Sequence, residues 1–164
     1  MSPEPTGSAQ GLEQAGSAAV VIDTNIALDL LLFDDPAVRP LRENLASRRL
    51  HWLATAAMRT ELARVLGYAH LRRRIDAKGA AAAEVLDGFD GLARMVTAPV
   101  RARVVCRDPD DQKFVDLAVA QGCLLLSKDR DLLSMNKRLA ALQVPTMAVL
   151  GAHNAAPPHR RSPP

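Results

Sequence analysis

Three acidic residues occupy four consecutive positions in Asp108-Pro109-Asp110-Asp111, where an apolar helix pattern begins. Leu124-Leu125-Leu126-Ser127-Lys128-Asp129 reads as a buried strand that runs into another Asp, and far upstream Val20-Val21-Ile22-Asp23-Thr24-Asn25 does the same. Carboxylates that recur where strands end and helices begin can be gathered at one edge of a fold. Unpaired buried charges are costly, and clustered carboxylates raise one another's pKa. A divalent cation relieves both problems. Hard oxygen donors without His or Cys favour Mg2+ or Mn2+ over zinc. One such ion, or two about 3.5–4 Å apart, suits hydrolysis at phosphorus by activating water and stabilising the leaving oxygen.

Each carboxylate also has a plainer reading. Asp, Thr and Asn are good N-caps, which covers Asp23-Thr24-Asn25. Acidic residues at a helix start oppose the positive end of its dipole, which covers Asp108, Asp110 and Asp111 as well as Asp129 and Asp131. Helical geometry shifts the weight. At 100° per residue, Asp111 falls about 20° from Ala118 and one turn before Val115, so it extends the buried stripe. Asp110 leans the same way, and spacing alone does not separate the two. Asp116 falls on the opposite side and is expected in solvent. Glu61 lies at the edge of the stripe Met58, Leu62 and Val65; it can reach the same sheet edge or snorkel to water.

The elements that must position these groups alternate. Apolar strands are expected at 18–22, 51–54, 100–105, 123–126 and 144–149. Helices are expected at 24–32, from Asp34-Asp35-Pro36 with its stripe Val38, Leu41 and Leu45, and at 56–67, where Thr55 can cap. Further helices are expected at 71–75, 80–94, 110–122, 129–135 and 137–142. Short, fully apolar strands between helices mean parallel strands covered on both faces. The fold class is therefore a three-layer α/β/α domain with a central parallel sheet of four to five strands. In such sheets ligands bind beyond the carboxyl ends of the strands. Asp23 and Asp129 stand there, and the 110–122 helix should start there because it follows the third strand. Residues 1–17 lack periodicity and read as a disordered leader, 18–150 as the domain, and 151–164 as a disordered Pro/Arg tail.

With 164 residues, the chain suffices for one domain with a real core. Aromatics make up only 3% against 48% hydrophobic residues, so that core must be built from Leu, Val and Ala. A net charge of +3 tolerates a polyanionic partner without demanding one. Cys106 and Cys123 form no CxxC and read as buried free thiols of a reducing, cytoplasmic compartment. No signal peptide or membrane span is expected. The sequence has no GxxxxGK[ST], no GxGxxG and no GxSxG, which disfavours P-loop, dinucleotide and serine-hydrolase chemistry. Arg59, Arg64, Arg107, Lys113, Lys128 and Arg130 flank the acidic positions and could hold phosphates. The Arg72-Arg73-Arg74 run reads as a solvated helix face, and Trp52 as a core residue.

Val-Ile-Asp23-Thr-Asn25, a helical Glu61, Arg-Asp-Pro-Asp-Asp111-Gln-Lys-Phe and Leu-Ser-Lys-Asp129-Arg-Asp-Leu-Leu together resemble the PIN domain nucleases. The closest likeness is to the VapC-like branch, toxins of toxin–antitoxin pairs, and it runs from about residue 19 to 149. The resemblance implies a ribonuclease dependent on Mg2+ or Mn2+. It places the family's acidic quartet on Asp23, Glu61, Asp111 and Asp129, with Asp23, Asp111 and Asp129 as metal ligands. It places polar helpers at Asn25 and at Ser127, where Thr is more usual, with Asp131 as a further group near the metal. The implied partners are an RNA substrate, an antitoxin protein and a second copy in a homodimer.

Overall fold

The computed structural model describes residues 18–150; the leader and tail expected at 1–17 and 151–164 lie outside them. The sheet contains β1 (Ala18–Ile22), β2 (Leu50–Ala54), β3 (Ala93–Met95), β4 (Leu124–Leu126) and β5 (Thr146–Met147). Their order is β3-β2-β1-β4-β5, and every neighbouring pair is parallel. The chain walks outward from β1 to β3, then returns to lay β4 along the other side of β1. The direction reverses between β1 and β4, and a crevice opens at the strand ends at such a switch point. Val20, Val21 and Ile22 of β1 are buried, as a central strand covered on both faces requires.

The helices are α1 (Thr24–Leu28), α2 (Arg39–Ala46), α3 (Ala56–Leu66), α4 (Ala69–Ala77), α5 (Ala82–Leu92), α6 (Gln112–Gln121), α7 (Arg130–Leu133) and α8 (Asn136–Ala141). The helix expected at 24–32 changes character part-way, from α1 into a π-helical turn at Asp29–Phe33. Asp35 accepts the Ala37 N–H at 2.9 Å, with Pro36 at the first helical position, but the result is a 3-10 turn, Pro36–Val38, leading into α2. The expected stripe Val38, Leu41 and Leu45 is buried; of Met58, Leu62 and Val65 the first two are buried and Val65 is half-buried, with Leu66 buried beside them. On α6, Phe114, Val115, Leu117 and Ala118 are buried, and the helix packs on β1 and β4. It ends at Gly122, whose φ of 59° few side-chain-bearing residues tolerate. Trp52 is 1% exposed and meets Phe89 edge-on at 5.0 Å. Truncating either ring would cost roughly 3–5 kcal/mol.

The third strand is not where the apolar pattern of 100–105 suggests. Ala93–Met95 pairs with β2, following α5 without a break, so the helix expected at 80–94 stops at Leu92. Val100 and Val105 are exposed. The backbone of 102–106 is instead claimed by two side chains of α6. Asp116 accepts the Ala102 N–H at 2.8 Å. Gln112 accepts the Cys106 N–H at 2.7 Å and donates to the Val104 carbonyl at 2.9 Å and to Asp116 at 2.8 Å. Asp116 is therefore half-buried and bonded, contrary to the expectation of solvent exposure. The helix start bearing Asp111 reaches the sheet edge from this stapled loop and not directly from a strand.

Candidate active site

Pairing in register ends β1 and β4 level, with Ile22 opposite Leu126. The Asp23 N–H donates to the Leu126 carbonyl at 2.9 Å, which sets Asp23 beside Ser127 across the switch point. Asp23 is 5% exposed and Ser127 fully buried. The Ser127 hydroxyl donates to Asp23 Oδ2 at 2.5 Å and accepts the Asp129 N–H at 3.0 Å. Asp23 Oδ1 accepts the Asn25 N–H at 3.1 Å. Thus Asp23 does cap a helix, with one oxygen, while the other faces β4.

Asp129 divides its roles in a similar way. Its Oδ1 accepts the N–H groups of Asp131, at 2.7 Å, and Leu132, so it caps α7. Glu61 stands on the first half of α3 with 12% of its side chain exposed. The Thr24 hydroxyl donates to its Oε2, and Lys113 Nζ donates to its Oε1 at 2.9 Å. The Arg64 guanidinium lies 3.8 Å from the same Oε1. Both oxygens of Glu61 are therefore engaged.

Asp111 differs. It ends the 3-10 turn Pro109–Asp111 that opens α6, and its Oδ2 is buried with no hydrogen-bond partner. Burial pushes its carboxyl up to about 7, and the charges of Asp129, Asp23, Asp108 and Glu61 add to the rise. Asp23 is also raised, by burial first and by Asp129 and Glu61 next, against the lowering pull of the Ser127 and Asn25 hydrogen bonds. The side chain of Asp110 is exposed, and its carbonyl takes a second bond from Lys113 at 2.5 Å. Of the two residues that spacing left undivided, Asp111 is the one turned inward. Asp108 caps the turn by accepting the Asp110 N–H at 2.9 Å.

A model of the PIN domain family matches residues 19–131. The chain belongs to the PIN domain family. Comparison with curated proteins and with solved structures finds no match. PIN domains are typically metal-dependent nucleases that use divalent cations. The five-stranded parallel sheet flanked by helices is consistent with that family. No helix among the described residues is long and apolar enough to cross a membrane.

The donor set of this PIN domain fits such a cation in chemistry. An orphaned, buried carboxylate oxygen on Asp111 is surrounded by the charges of other acids, and none of the donors is soft. Among the described residues, however, no three His, Cys, Asp or Glu side chains are drawn together as a ready-made ligand set. Uncompensated carboxylates repel, and an ion is what would draw them in.

The other residues expected at the site are placed as follows. The side chain of Asn25 is exposed; only its backbone N–H meets Asp23. Asp131 is partly buried, and its N–H is what meets Asp129. Lys113 serves Glu61. Lys128 pairs with the buried Asp29 at 2.5 Å, and Arg59 with Asp90 at 2.7 Å. Arg107 and Arg130 are exposed and form no ion pair among the described residues. Thr24, Gln112 and Asp116 help to build the site without any sign of it in the sequence, because their partners lie far away in the chain or are backbone groups.

Proposed function

We propose that this PIN domain is an endoribonuclease that uses Mg2+ or Mn2+ to hydrolyse RNA phosphodiester bonds, and that it is the toxin of a toxin–antitoxin pair. The observation that carries the reading is the buried, unpartnered Asp111 oxygen within the combined field of Asp23, Asp129 and Glu61. Asp23, Asp111 and Asp129 would hold the ion. When bound, the ion supplies positive charge that polarises the phosphate and makes water easier to deprotonate. The protein's own groups do the rest. Ser127 fixes the direction of Asp23, the α7 cap fixes Asp129, and Glu61, held by Thr24 and Lys113, is an anchored anion that can orient water or accept its proton. Purified protein with Mn2+ should cut single-stranded RNA, and Asp23→Asn or Asp111→Asn should not. Equal cutting by the variants, or in EDTA, would sink the proposal.

One observation favours a second reading, a silent PIN-like module that binds RNA or protein: among the described residues, no three carboxylates are pre-assembled. Calorimetric titration with Mn2+ separates the two readings, because a silent module binds no metal near neutral pH. Under either reading an antitoxin would cover the acidic crevice or insert a basic side chain into it, which co-purification from the native host tests. A homodimer and a cytoplasmic location complete the proposal.

A further inference from the structure

Nucleic acid approaching this crevice meets a difficulty. The charges of Asp23, Glu61 and Asp129 already act on Asp111 there, and four of the cations that flank these acids are committed. Lys113 is bound to Glu61, Lys128 to Asp29 and Arg59 to Asp90, and Arg64 lies 3.8 Å from Glu61. Apart from Arg130, beside Asp129, uncommitted charge lies on the loop that leads into Asp108. Between 101 and 107 the chain alternates. Ala102 and Val104 are half-buried and Cys106 is buried, whereas Arg101, Arg103, Val105 and Arg107 are exposed. None of the three arginines forms an ion pair among the described residues.

This alternation is fixed without a strand partner. Asp116 holds the Ala102 N–H, and Gln112 holds both the Val104 carbonyl and the Cys106 N–H. These bonds pin the inward residues to α6, so the outward arginines stand on a fixed backbone. The loop also ends at the acidic site. Burial raises the Cys106 thiol, and the charges of Asp111, Asp116 and Asp108 reach it and add to the rise. A row of cations on a fixed backbone, ending where phosphodiester chemistry is proposed, suits a phosphate chain and spares it the repulsion of the crevice.

We propose that Arg101, Arg103 and Arg107 form a phosphate-binding ledge that receives single-stranded RNA and feeds it toward Asp111. The ledge rests on the ribonuclease reading and adds to it a substrate-binding surface. Gln112 and Asp116 are its positioning residues.

The test is the salt dependence of binding. A fluorescein-labelled single-stranded oligouridine is titrated with full-length protein in EDTA, where no cutting occurs, and anisotropy is read across a range of KCl concentrations. For a single strand, removing one cation that neutralises a phosphate lowers the slope of log Kd against log salt by about 0.7. Arg101→Gln/Arg103→Gln should therefore lower the slope by about 1.4 and weaken binding roughly tenfold at low salt. Arg72→Gln/Arg73→Gln removes the same charge from the exposed face of α4 and should change the slope by less than half as much. An unchanged slope in the first pair overturns the ledge, as does an equal loss in both pairs. Absence of binding by the unaltered protein overturns the RNA reading itself, and the ledge with it. Circular dichroism confirms that both pairs are folded. Arg101→Lys/Arg103→Lys keeps the charge and should retain most of the unaltered slope; a loss as large as that of the glutamine pair would overturn the ledge as a site of phosphate neutralisation.

Discussion

Asp111→Asn should stabilise the metal-free protein, and the gain should grow with pH. The Asp111 carboxyl is raised from 3.8 to about 7 by burial and by its acidic neighbours. A carboxyl whose folded pKa lies above its unfolded value favours folding at low pH, and that contribution is lost as pH rises through the folded value. The loss therefore develops between about pH 4 and 7 and is complete above 7. At pH 5 the folded protein carries Asp111 protonated and uncharged, much as Asn would be. From there to pH 8 the unaltered chain loses about 3 kcal/mol that the variant keeps, at about 1.4 kcal/mol per pH unit up to 7. Partial contact of the carboxyl with solvent reduces this to about 1–3 kcal/mol. At about 4 °C per kcal/mol, thermal unfolding in EDTA should show the Tm advantage of the variant widening by roughly 4–12 °C between pH 5 and pH 8. Saturating Mn2+ should reverse the ranking, because binding to the folded state adds about 2.7 kcal/mol at one hundred times Kd, and Asn lacks the anionic oxygen. A constant difference across pH, or destabilisation at pH 8, would refute the reasoning.

Lys113→Met should tighten Mn2+ about tenfold in calorimetry while slowing cleavage, since a unit charge a few ångströms from a dication is worth about 1–2 kcal/mol even at water-like screening; an unchanged Kd would show that the Lys113 charge does not bear on the metal. Gln112→Ala should cost about 2–4 kcal/mol in urea unfolding by leaving the Val104 carbonyl and Cys106 N–H unpaired. The same variant should speed thiol labelling of Cys106, which is now buried with its thiol pushed up to about 11, and an unmoved labelling rate would count against the staple.

How far the sequence foretold this arrangement depended on the range of each interaction. β1 was legible because a central parallel strand is apolar throughout, and Asp23 because it directly follows. The stripe of α6 was legible at Phe114, Leu117 and Ala118, and the same periodicity carried Asp111 into the candidate site. Segment 100–105 misled because outward arginines between inward apolar residues imitate a strand, while the groups that hold its backbone are side chains of α6. The ion pairs of Lys113 and Lys128 were hidden for another reason. A lysine beside an acidic motif looks free for substrate until the fold brings a carboxylate to it, and Glu61 is 52 residues from Lys113. Nothing local to either lysine records that approach.

The Ser127 hydroxyl joins Asp23 to the turn that bears Asp129, across 104 residues of chain. Until β4 docks on β1, Asp23 lacks that partner and Asp129 has no crevice to enter. A ribosome making this chain would thus hold an inert product for most of synthesis. The two acids would be joined only after residue 129 has cleared the exit tunnel, and if the protein is the ribonuclease proposed above, its nascent chain would stay inactive until then.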